Sequence, residues 1–411
     1  MKCRHCGQEL KHTFLDLASA PPSNAYLKPE ALSQAEVWLP LKLMVCDACW
    51  LVQTLDFTGR ENLFDAEYAY FSSCSSSWLL HAKNFVETMQ EQLNLGPQNL
   101  VMEVAANDGY LLQYVQQAGI PCFGVEPTTS TATAAREKGI EIVERFFGTE
   151  LARELLAQGK RIDMSVANNV LAHVPDINDF VAGFSLLLTE QGVASFEFPH
   201  LLNMVQLNQF DTAYHEHYSY LSLHAVKAVF AKNGLHVFDV QEWPTHGGSL
   251  RVLAQRSDVQ YREENSRVAE LLQRELAAGI KTLDFYSEAQ IRAEQAKFAL
   301  LEFLLEAKRN NKRVAAYGAA AKGNTLLNFS GVRPDLLPYV VDINPHKQGK
   351  FMPGSRIPIV SLSHLLEDKP DYILILPWNL QAEIMQDLDT VKTWGGRFVV
   401  AIPQLSVLER E

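Results

Sequence analysis

The amino-acid sequence predicts an α/β fold in three parts: a small cysteine-rich domain and two Rossmann-like units. Two Cys-x-x-Cys pairs lie near the N-terminus. Short apolar runs then alternate with amphipathic stretches, first in LVMEVAA, PCFGVEP, IDMSVANN and GVASFEFP, and again in RVAAYG, LPYVVDI, YILILPW and RFVVAIP. This alternation is typical of a parallel sheet covered by helices. We expect the domain limits at residues 1–62, 63–257 and 258–411, the last part opening with a helical connector.

The composition narrows the class of protein. A chain of 411 residues is too long for one core. Its 36 basic and 48 acidic residues give a net charge of −12, which argues against a general affinity for nucleic acid or anionic membranes. No segment approaches the roughly 18 apolar residues of a membrane span, and the N-terminus lacks the apolar core of a signal peptide. We expect a cytoplasmic protein without nucleic-acid or membrane partners; its oligomeric state stays open, a monomer included.

The paired cysteines predict a metal site. The pairs are Cys3 with Cys6, and Cys46 with Cys49. Two such turns can complete a tetrahedral sulfur site, which structural zinc prefers. Four unrelated core thiols would not predict paired spacing, and a redox motif would predict one pair beside a βαβ unit. With four protein ligands and no open position, the zinc is expected to hold the fold and to take no part in chemistry.

The run VMEVAANDGYLL predicts a ligand-binding loop between a strand and a helix. Its acidic and small residues are Glu103, Ala105, Asn107 and Gly109, with Asp108 in the same turn. Dinucleotide dehydrogenases place G-x-G-x-x-G here, which is absent. Rossmann-like methyltransferases place an acidic residue followed by small residues at alternate positions, and the run fits that pattern loosely.

The next two strands end in polar residues that fit the same cofactor. Glu126, followed by Pro127, ends one strand, where a carboxylate can accept both hydroxyls of a ribose. Asn168 and Asn169 end another, placed to line the adenine or methionine part of a pocket. The combination predicts binding of S-adenosylmethionine (SAM).

Six motifs in order carry a resemblance that spans essentially the whole chain. They are the four cysteines, VMEVAANDGYLL, LAHVPD, YHEHYSY, HGGSLRV, and YGAAAKGNTLLNF with VVDINPHKQGKFMPG. Together they resemble the three-domain, SAM-dependent nucleotide-sugar C-methyltransferases. The resemblance implies that the chain adds a branch methyl to the carbon beside the C4 ketone of a nucleotide-linked 4-keto-deoxysugar, in deoxysugar biosynthesis. The nucleoside, the methylated carbon (C3 or C5) and the stereochemistry stay open.

The cluster YHEHYSY supplies the groups that such a reaction requires. A sugar carbon becomes a nucleophile when a base removes its proton next to a carbonyl, and the enolate then needs hydrogen-bond donors. His217 is the predicted general base, because an imidazole titrates near neutrality. Glu216 is predicted to orient or support it. The resemblance implies that Tyr214 lines the sugar, where it could donate to the keto oxygen.

Further active-site residues follow from the resemblance. His173, in LAHVPD, is similar to a histidine of the family that faces the active site. Either Tyr68 or Tyr70, in EYAYFSS, corresponds to an active-site tyrosine, and the register between them stays open. His215 is predicted to be structural.

The motif HGGSLRV predicts a close approach of backbone to a ligand. Gly247 and Gly248 lack side chains that would obstruct it. Arg251 follows the glycines. Two roles stay open for it: a contact with a phosphate or the active site, or a surface ion pair.

The motif YGAAAKGN predicts a strand that leads into a small-residue turn at a helix N-terminus. Such a turn can cradle a diphosphate, with Lys322 as a point charge and Asn324 beside it. Asp342 and Asn344 end the following strand and would face the nucleoside. The resemblance implies that this domain holds the nucleotide sugar while the middle domain holds the methyl donor.

Three other functions compete with this interpretation. An NAD-dependent oxidoreductase is disfavoured because G-x-G-x-x-G is absent from both candidate loops. An O- or N-methyltransferase acting on a nucleotide sugar or another small molecule would share the first loop but would need no base that generates an enolate. A zinc-dependent binding module with a vestigial enzyme fold would bind no SAM.

Overall fold

The structure is a computed structural model that describes residues 1–57 and 71–408. Its described part contains three sheets. The first is antiparallel and has the spatial order β1 (His12–Ala20), β2 (Leu39–Val45), β3 (Val52–Thr54) and β9 (Ser219–Tyr220). The pairing of Val52 with Tyr220 joins the cysteine-rich region to the end of the YHEHYSY cluster. The cluster is therefore held by two parts of the molecule.

The second sheet has seven strands and is mostly parallel. In chain order they are β4 (Val101–Val104), β5 (Cys122–Val125), β6 (Glu141–Val143), β7 (Ile162–Asn168), β8 (Leu188–Pro199), β10 (Leu235–Trp243) and β11 (Ser249–Arg256). The spatial order is β10-β11-β8-β7-β4-β5-β6, with β11 antiparallel to both of its neighbours. All residues of β4 are buried, as expected for a central parallel strand that is covered on both faces.

Seven helices accompany this sheet. They are α1 (Ser76–Leu93), α2 (Leu112–Gln117), α3 (Thr129–Glu137), α4 (Thr149–Ala157), α5 (Ile177–Leu187), α6 (Leu201–Gln206) and α7 (Leu223–Lys232). The side chain of Ser75 caps α1 by accepting a hydrogen bond from the backbone of Trp78. Asp176 and Ser222 cap α5 and α7 in the same way. Short polar residues thus set the start of each of these helices.

A helical connector leads to the third sheet. It consists of α8 (Ser266–Ala277), α9 (Asp284–Ser287) and α10 (Ala289–Arg309). The third sheet contains β12 (Val314–Tyr317), β13 (Val340–Val341), β14 (Ile359–Val360), β15 (Tyr372–Ile375), β16 (Arg397–Val400) and β17 (Ser406–Leu408). Its order is β14-β13-β12-β15-β16-β17, parallel except for β17. The helices α11 (Ala321–Ser330), α12 (Leu362–Asp368) and α13 (Gln381–Asp387) pack with it.

One hydrophobic core joins the first sheet, the connector and the third sheet. It contains Leu15, Leu43, Phe210, Leu300 and Leu326, which are all buried. Burying a side chain of this size stabilises a fold by about 1.5–3 kcal/mol. The shared core therefore fixes how these parts meet around the YHEHYSY cluster.

The architecture confirms the predicted α/β class. Among the described residues, the structure contains no helix that is both long and apolar enough to cross a membrane.

Candidate active site

Four thiols converge in the N-terminal region. The sulfur atoms of Cys3, Cys6, Cys46 and Cys49 all lie within 4.8 Å of one another. The separations between Cys3 and Cys49, at 3.5 Å, and between Cys6 and Cys46, at 3.6 Å, are close to those of four thiolates that surround one zinc ion at about 2.3 Å. The amide nitrogen of Gln53 donates to the sulfur of Cys3 at 3.2 Å. The residues present fit a tetrahedral zinc site with no open position.

The loop after β4 bends sharply through left-handed backbone conformations. Ala105 and Asn107 have φ angles of 58° and 50°, and Gly109 has 75°. Such a conformation costs a residue other than glycine about 1–2 kcal/mol. At Gly109, a side chain would also collide with Ile140. The loop is thus held in a strained shape, which is common where backbone must approach a ligand.

Glu126 holds this loop from the end of β5. Its two carboxylate oxygens accept hydrogen bonds from the backbone nitrogens of Asn107 and Thr128, both at 2.9 Å. Burial raises the pKa of Glu126. Burial also raises the pKa of Glu103, on β4, well above its usual range. Pro127, which follows Glu126, is half-buried.

The end of β7 carries two asparagines, one of which contacts the same loop. The side-chain nitrogen of Asn168 lies 3.5 Å from the hydroxyl of Tyr110, and that of Asn169 donates to Nε2 of His246 at 3.1 Å. The carbonyl oxygens of both asparagines, and Oδ1 of Asp108, are buried and have no hydrogen-bond partner among the described residues. These oxygens need hydrogen-bond donors, and the amino and hydroxyl groups of SAM can supply them.

His217 lies buried in the YHEHYSY cluster. Its Nδ1 is 3.0 Å from the backbone oxygen of Thr212, which can only accept, so Nδ1 carries the proton and Nε2 keeps a lone pair. Its ring centroid lies 4.6 Å from that of His173 and 3.9 Å from that of Tyr214. Burial, with the charge on neighbouring groups, lowers the pKa of His217 well below its usual range. His217 is therefore a neutral imidazole near neutral pH.

His173 connects this cluster to the end of β7. It lies in a single turn four residues beyond Asn169, and its Nδ1 donates to the backbone oxygen of Glu216 at 2.8 Å. The backbone nitrogen of Tyr218 donates to the oxygen of Ala172 at 2.7 Å. Burial lowers the pKa of His173 to about 4. The two histidines thus lie beside the strand end that carries the amide oxygens.

The structure does not support the predicted role of Glu216 in orienting His217. The carboxylate of Glu216 instead accepts hydrogen bonds from the backbone and side-chain nitrogens of Asn24, both at 3.2 Å. Burial raises the pKa of Glu216. The group that orients His217 is the backbone oxygen of Thr212, and the backbone oxygen of Glu216 orients His173. His215 is turned toward the backbone oxygen of Leu39, 3.3 Å away.

The C-terminal domain brings a cation to the cluster. Lys322 lies in the first turn of α11, and its ammonium donates to the side-chain oxygen of Asn379 at 2.9 Å and to the backbone oxygen of His246 at 3.5 Å. It also sits 4.4 Å from the ring centroid of Trp378. Burial lowers the pKa of Lys322 to about 8. Its charge contributes to the lowered pKa of His217. Its contact with His246, which is bound to Asn169, brings it to the end of β7.

The turn before α11 is held by Asp342. The carboxylate of Asp342 accepts hydrogen bonds from the backbone nitrogens of Ala319 and Asn344, both at 2.8 Å, and lies 3.6 Å from the ammonium of Lys347. Asp342 and Asn344 are thus at the predicted strand end. Asn324 is not exposed to this turn, because its buried side chain donates to the backbone oxygen of Ser23. This is a contact between domains, and the predicted substrate contact of Asn324 stays a prediction, since its Oδ1 has no hydrogen-bond partner among the described residues.

The structure gives the HGGSLRV motif a different role from the one predicted. A Cβ at Gly247 would lie 2.5 Å from the ring of Trp378, and a Cβ at Gly248 would collide with the side chain of Asn203. The glycines therefore permit close packing within the protein. Arg251 is 2% exposed, and it donates to the carboxylate of Glu197 at 2.7 and 3.1 Å. Its charge is already paired, so the predicted phosphate contact is replaced by a buried ion pair.

Several site residues were missed by the sequence prediction. Asp211 and Trp378 meet across the domain interface, where the indole nitrogen donates to the carboxylate at 2.8 Å. Trp378 ends the segment YILILPW, and a position beyond the carboxyl end of a parallel strand was a signal that could have identified it. Nothing in the sequence indicates the contact of Asn24 with Glu216. The predicted Tyr68 and Tyr70 lie outside the described residues.

Comparisons with known proteins agree with this geometry. Three family models match in succession: a zinc binding domain over residues 3–64, a methyltransferase domain over residues 82–240 and a C-methyltransferase C-terminal domain over residues 244–403. The chain is 33% identical to C-methyltransferase NovU of Streptomyces niveus over 410 residues, which is 100% of this chain and 97% of that protein.

Two solved structures illustrate a resemblance to part of the chain. One is magnesium protoporphyrin IX methyltransferase of Synechocystis PCC 6803 with bound SAM, at 17% identity and a TM-score of 0.32, covering 43% of this chain and 79% of that one. Another is an SAM-dependent methyltransferase of Clostridium acetobutylicum, at 11% identity and a TM-score of 0.35, covering 42% and 90%.

The family models and the full-length relative also bear on the cofactors. The methyltransferase model and the loop after β4 identify SAM as the methyl donor. The zinc-binding model covers the four clustered cysteines. The chain belongs to the family of SAM-dependent C-methyltransferases that carry an N-terminal zinc-binding domain.

Proposed function

We propose that the chain methylates the carbon next to the C4 ketone of a nucleotide-linked 4-keto-deoxysugar, by way of an enolate. The observation that carries the proposal is the state of His217: it is buried, neutral, and oriented through Nδ1 so that Nε2 keeps its lone pair. A base of this kind is what a C-methyltransferase needs and what an O- or N-methyltransferase can do without. SAM supplies an electrophilic methyl group when it is bound.

His217 would act as the general base. A neutral imidazole accepts a proton without first losing one, and the hydrogen bond to Thr212 holds the ring in place as it does so. The low pKa of His217 makes it a weak base in the resting site. An enolate that forms beside the imidazolium would offset this, since opposite charges that appear together in a buried site stabilise each other.

The enolate oxygen would be held by donors that surround the base. Lys322 carries a positive charge below about pH 8 and contacts His246, which is bound to Asn169 at the end of β7. Tyr214 packs against the ring of His217 and can donate from its hydroxyl, whereas the neutral His173, whose proton is on Nδ1, packs there without a donor to offer from Nε2. Preorganised donors in a site that excludes water stabilise a developing oxyanion far more than they would in solution. One of Tyr68 or Tyr70 is proposed to complete this set, as the resemblance implies.

The nucleotide part of the substrate would occupy the turn before α11. The backbone there is pinned by Asp342, and Lys322 and Lys347 provide positive charge. A turn of small residues at the N-terminus of a ten-residue helix suits a diphosphate. Asn344 is proposed to face the nucleoside. We also propose the division of the chain at residues 1–62, 63–257 and 258–411; the order of the three matching models supports three parts, although the third model begins earlier, at residue 244.

The test is a variant of the base together with a neighbouring control. His217→Asn should lower kcat toward nucleotide-linked 4-keto-6-deoxysugars by about 10²- to 10⁴-fold, because it removes the base while the amide preserves much of the shape. The affinity for SAM, measured by calorimetry, should not change. His215→Asn is the matched control, because its imidazole faces Leu39 and lies outside the proposed chemistry.

Solvent exchange separates the carbon-acid mechanism from the alternatives. With the methyl donor omitted, the wild-type protein should incorporate deuterium from D₂O at the carbon next to the ketone, and His217→Asn should not. NMR of the methylated product would locate the new methyl at C3 or C5. A fully active His217→Asn variant would remove this residue from the base role. A product methylated on oxygen or nitrogen would overturn the proposed reaction.

A further inference from the structure

Asp211 is a buried acid next to the base that the proposed reaction does not yet use. It lies in the single turn Phe210–Thr212 and is 0% exposed. One carboxylate oxygen, Oδ2, accepts the hydrogen bond from the indole of Trp378 at 2.8 Å. The other, Oδ1, has no hydrogen-bond partner among the described residues. An isolated buried carboxylate is costly, so a compensating charge is expected nearby.

The positive charge that compensates the Asp211 carboxylate is that of Lys322. Its ammonium stands 4.4 Å from the ring centroid of Trp378, whose indole nitrogen is bound to Asp211. The negative charge of Asp211 opposes the effect of burial on Lys322, and the positive charge of Lys322 opposes the effect of burial on Asp211. Asp211, Trp378 and Lys322 form one group, which we call the Asp–Trp–Lys cluster. It joins the methyltransferase domain to the C-terminal domain.

The cluster borders the base directly. The residue after Asp211 is Thr212, whose backbone oxygen holds Nδ1 of His217. Lys322 in turn contributes to the electrostatic environment of His217. The turn that carries Asp211 therefore touches the base through the backbone of Thr212, and through the Asp211 side chain it binds Trp378, whose ring contacts Lys322.

We propose that Asp211 is a positioning residue for methyl transfer: its carboxylate keeps the Lys322 ammonium charged and in place beside His217 and docks Trp378 of the C-terminal domain onto the same turn. This rests on the proposed function, in which Lys322 faces the enolate. Asp211 itself is not assigned a contact with substrate.

The charges of the pair define a pH window. Burial raises the pKa of Asp211 to about 6 and lowers that of Lys322 to about 8, so both groups are charged between these values. Among the described residues, the charge of Lys322 also acts on His217 and His246; burial lowers the pKa of both, to about 4 for His246, so both are neutral in this window. Removing the negative charge of Asp211 should lower the pKa of Lys322 further.

The first test is Asp211→Asn. This change keeps the shape and an acceptor for the indole of Trp378 but removes the charge. We expect roughly a tenfold fall in kcat at pH 8, and a shift of the alkaline limb of the kcat profile toward lower pH, since the ammonium is lost earlier. Asp211→Glu, which restores the charge, should return the alkaline limb toward that of the wild type. An unmoved alkaline limb in Asp211→Asn would overturn the proposal.

A second measurement needs no sugar, so it separates this inference from the proposed function. The pKa of Lys322 can be followed by NMR of ¹³C-labelled lysine, with Lys322→Arg used to assign the signal. A lower pKa in Asp211→Asn supports the inference, and an equal pKa overturns it. Failure of the wild-type protein to methylate any ketosugar would refute the proposed function and leave this readout intact.

The coupling is reciprocal, which provides a further route if Asp211→Asn does not fold. Lys322→Met removes the cation and should raise the pKa of the Asp211 carboxyl, followed by NMR of ¹³C-labelled aspartate. An unchanged carboxyl pKa in a folded Lys322→Met protein would contradict the proposed pairing.

Discussion

At His217, the side chain can be read from the sequence, whereas its orientation is set by a hydrogen bond within the folded structure. The sequence shows a histidine among proton-carrying residues, and this was enough to predict a base. The group that fixes its tautomer is the backbone oxygen of Thr212, and every residue carries such an oxygen. The sequence suggested Glu216 as the residue that orients His217, but the carboxylate of Glu216 accepts hydrogen bonds from Asn24. The base role of His217 stays a prediction from side-chain chemistry, whereas the hydrogen bond that directs the ring depends on tertiary contacts.

Arg251 allows a structural role to be separated from substrate binding. Arg251→Met should destabilise the protein by about 3–5 kcal/mol, because it leaves the carboxylate of Glu197 buried without its guanidinium partner. Chemical denaturation would measure this change. The double variant Arg251→Met with Glu197→Leu should recover much of the loss, since no buried charge remains. A raised KM for the sugar nucleotide with unchanged stability of Arg251→Met would instead support the phosphate contact predicted from the sequence.

Among the elements, strands and their ends were more predictable than the contacts between turns. Alternating apolar runs identified β4, β5 and β7, and their carboxyl ends carry Glu126 and Asn168 as predicted. The glycines of HGGSLRV were correctly recognised as a place of close approach, but the approaching group is the ring of Trp378, more than a hundred residues away in the chain. A sequence motif shows that space is needed and does not show what fills it.

Gly247→Ala tests this packing. The new methyl would meet the ring of Trp378 at 2.5 Å, in addition to the strain of a φ angle of 90°. Gly159→Ala is the matched control, because Gly159 has a φ of 81° with nothing within 4 Å. Strain alone should cost the control about 1–2 kcal/mol. We expect a larger loss of stability for Gly247→Ala, with a fall in kcat that the control lacks. Equal effects of the two variants would show that the contact with Trp378 is unimportant.

Across the whole molecule, the zinc-binding domain contributes to the active site without its metal taking part. The backbone oxygen of Ser23 accepts a hydrogen bond from Asn324, Asn24 holds the carboxylate of Glu216, and the hydroxyl of Tyr26 donates to the backbone oxygen of Ala319 at 2.6 Å. Strand β3 also pairs with β9, directly after His217. The segment 23–26 is thus wedged between the other two domains, where the zinc-binding fold keeps it.

Removing zinc should therefore abolish turnover and spare cofactor binding. Chelation, or Cys46→Ser, should release the region around β3 and the segment 23–26, because structural zinc sites contribute their binding energy to folding. The loop after β4 belongs to the second sheet, so the affinity for SAM should not change. Calorimetry would measure this affinity, and zinc content and methyl transfer would be assayed on the same samples. Cys74→Ser is the control, since this exposed cysteine is outside the metal cluster. Full turnover by the zinc-free protein would contradict this prediction, because the active site would then keep its geometry without a folded N-terminal domain. A loss of SAM binding in parallel with turnover would show that the domains unfold together.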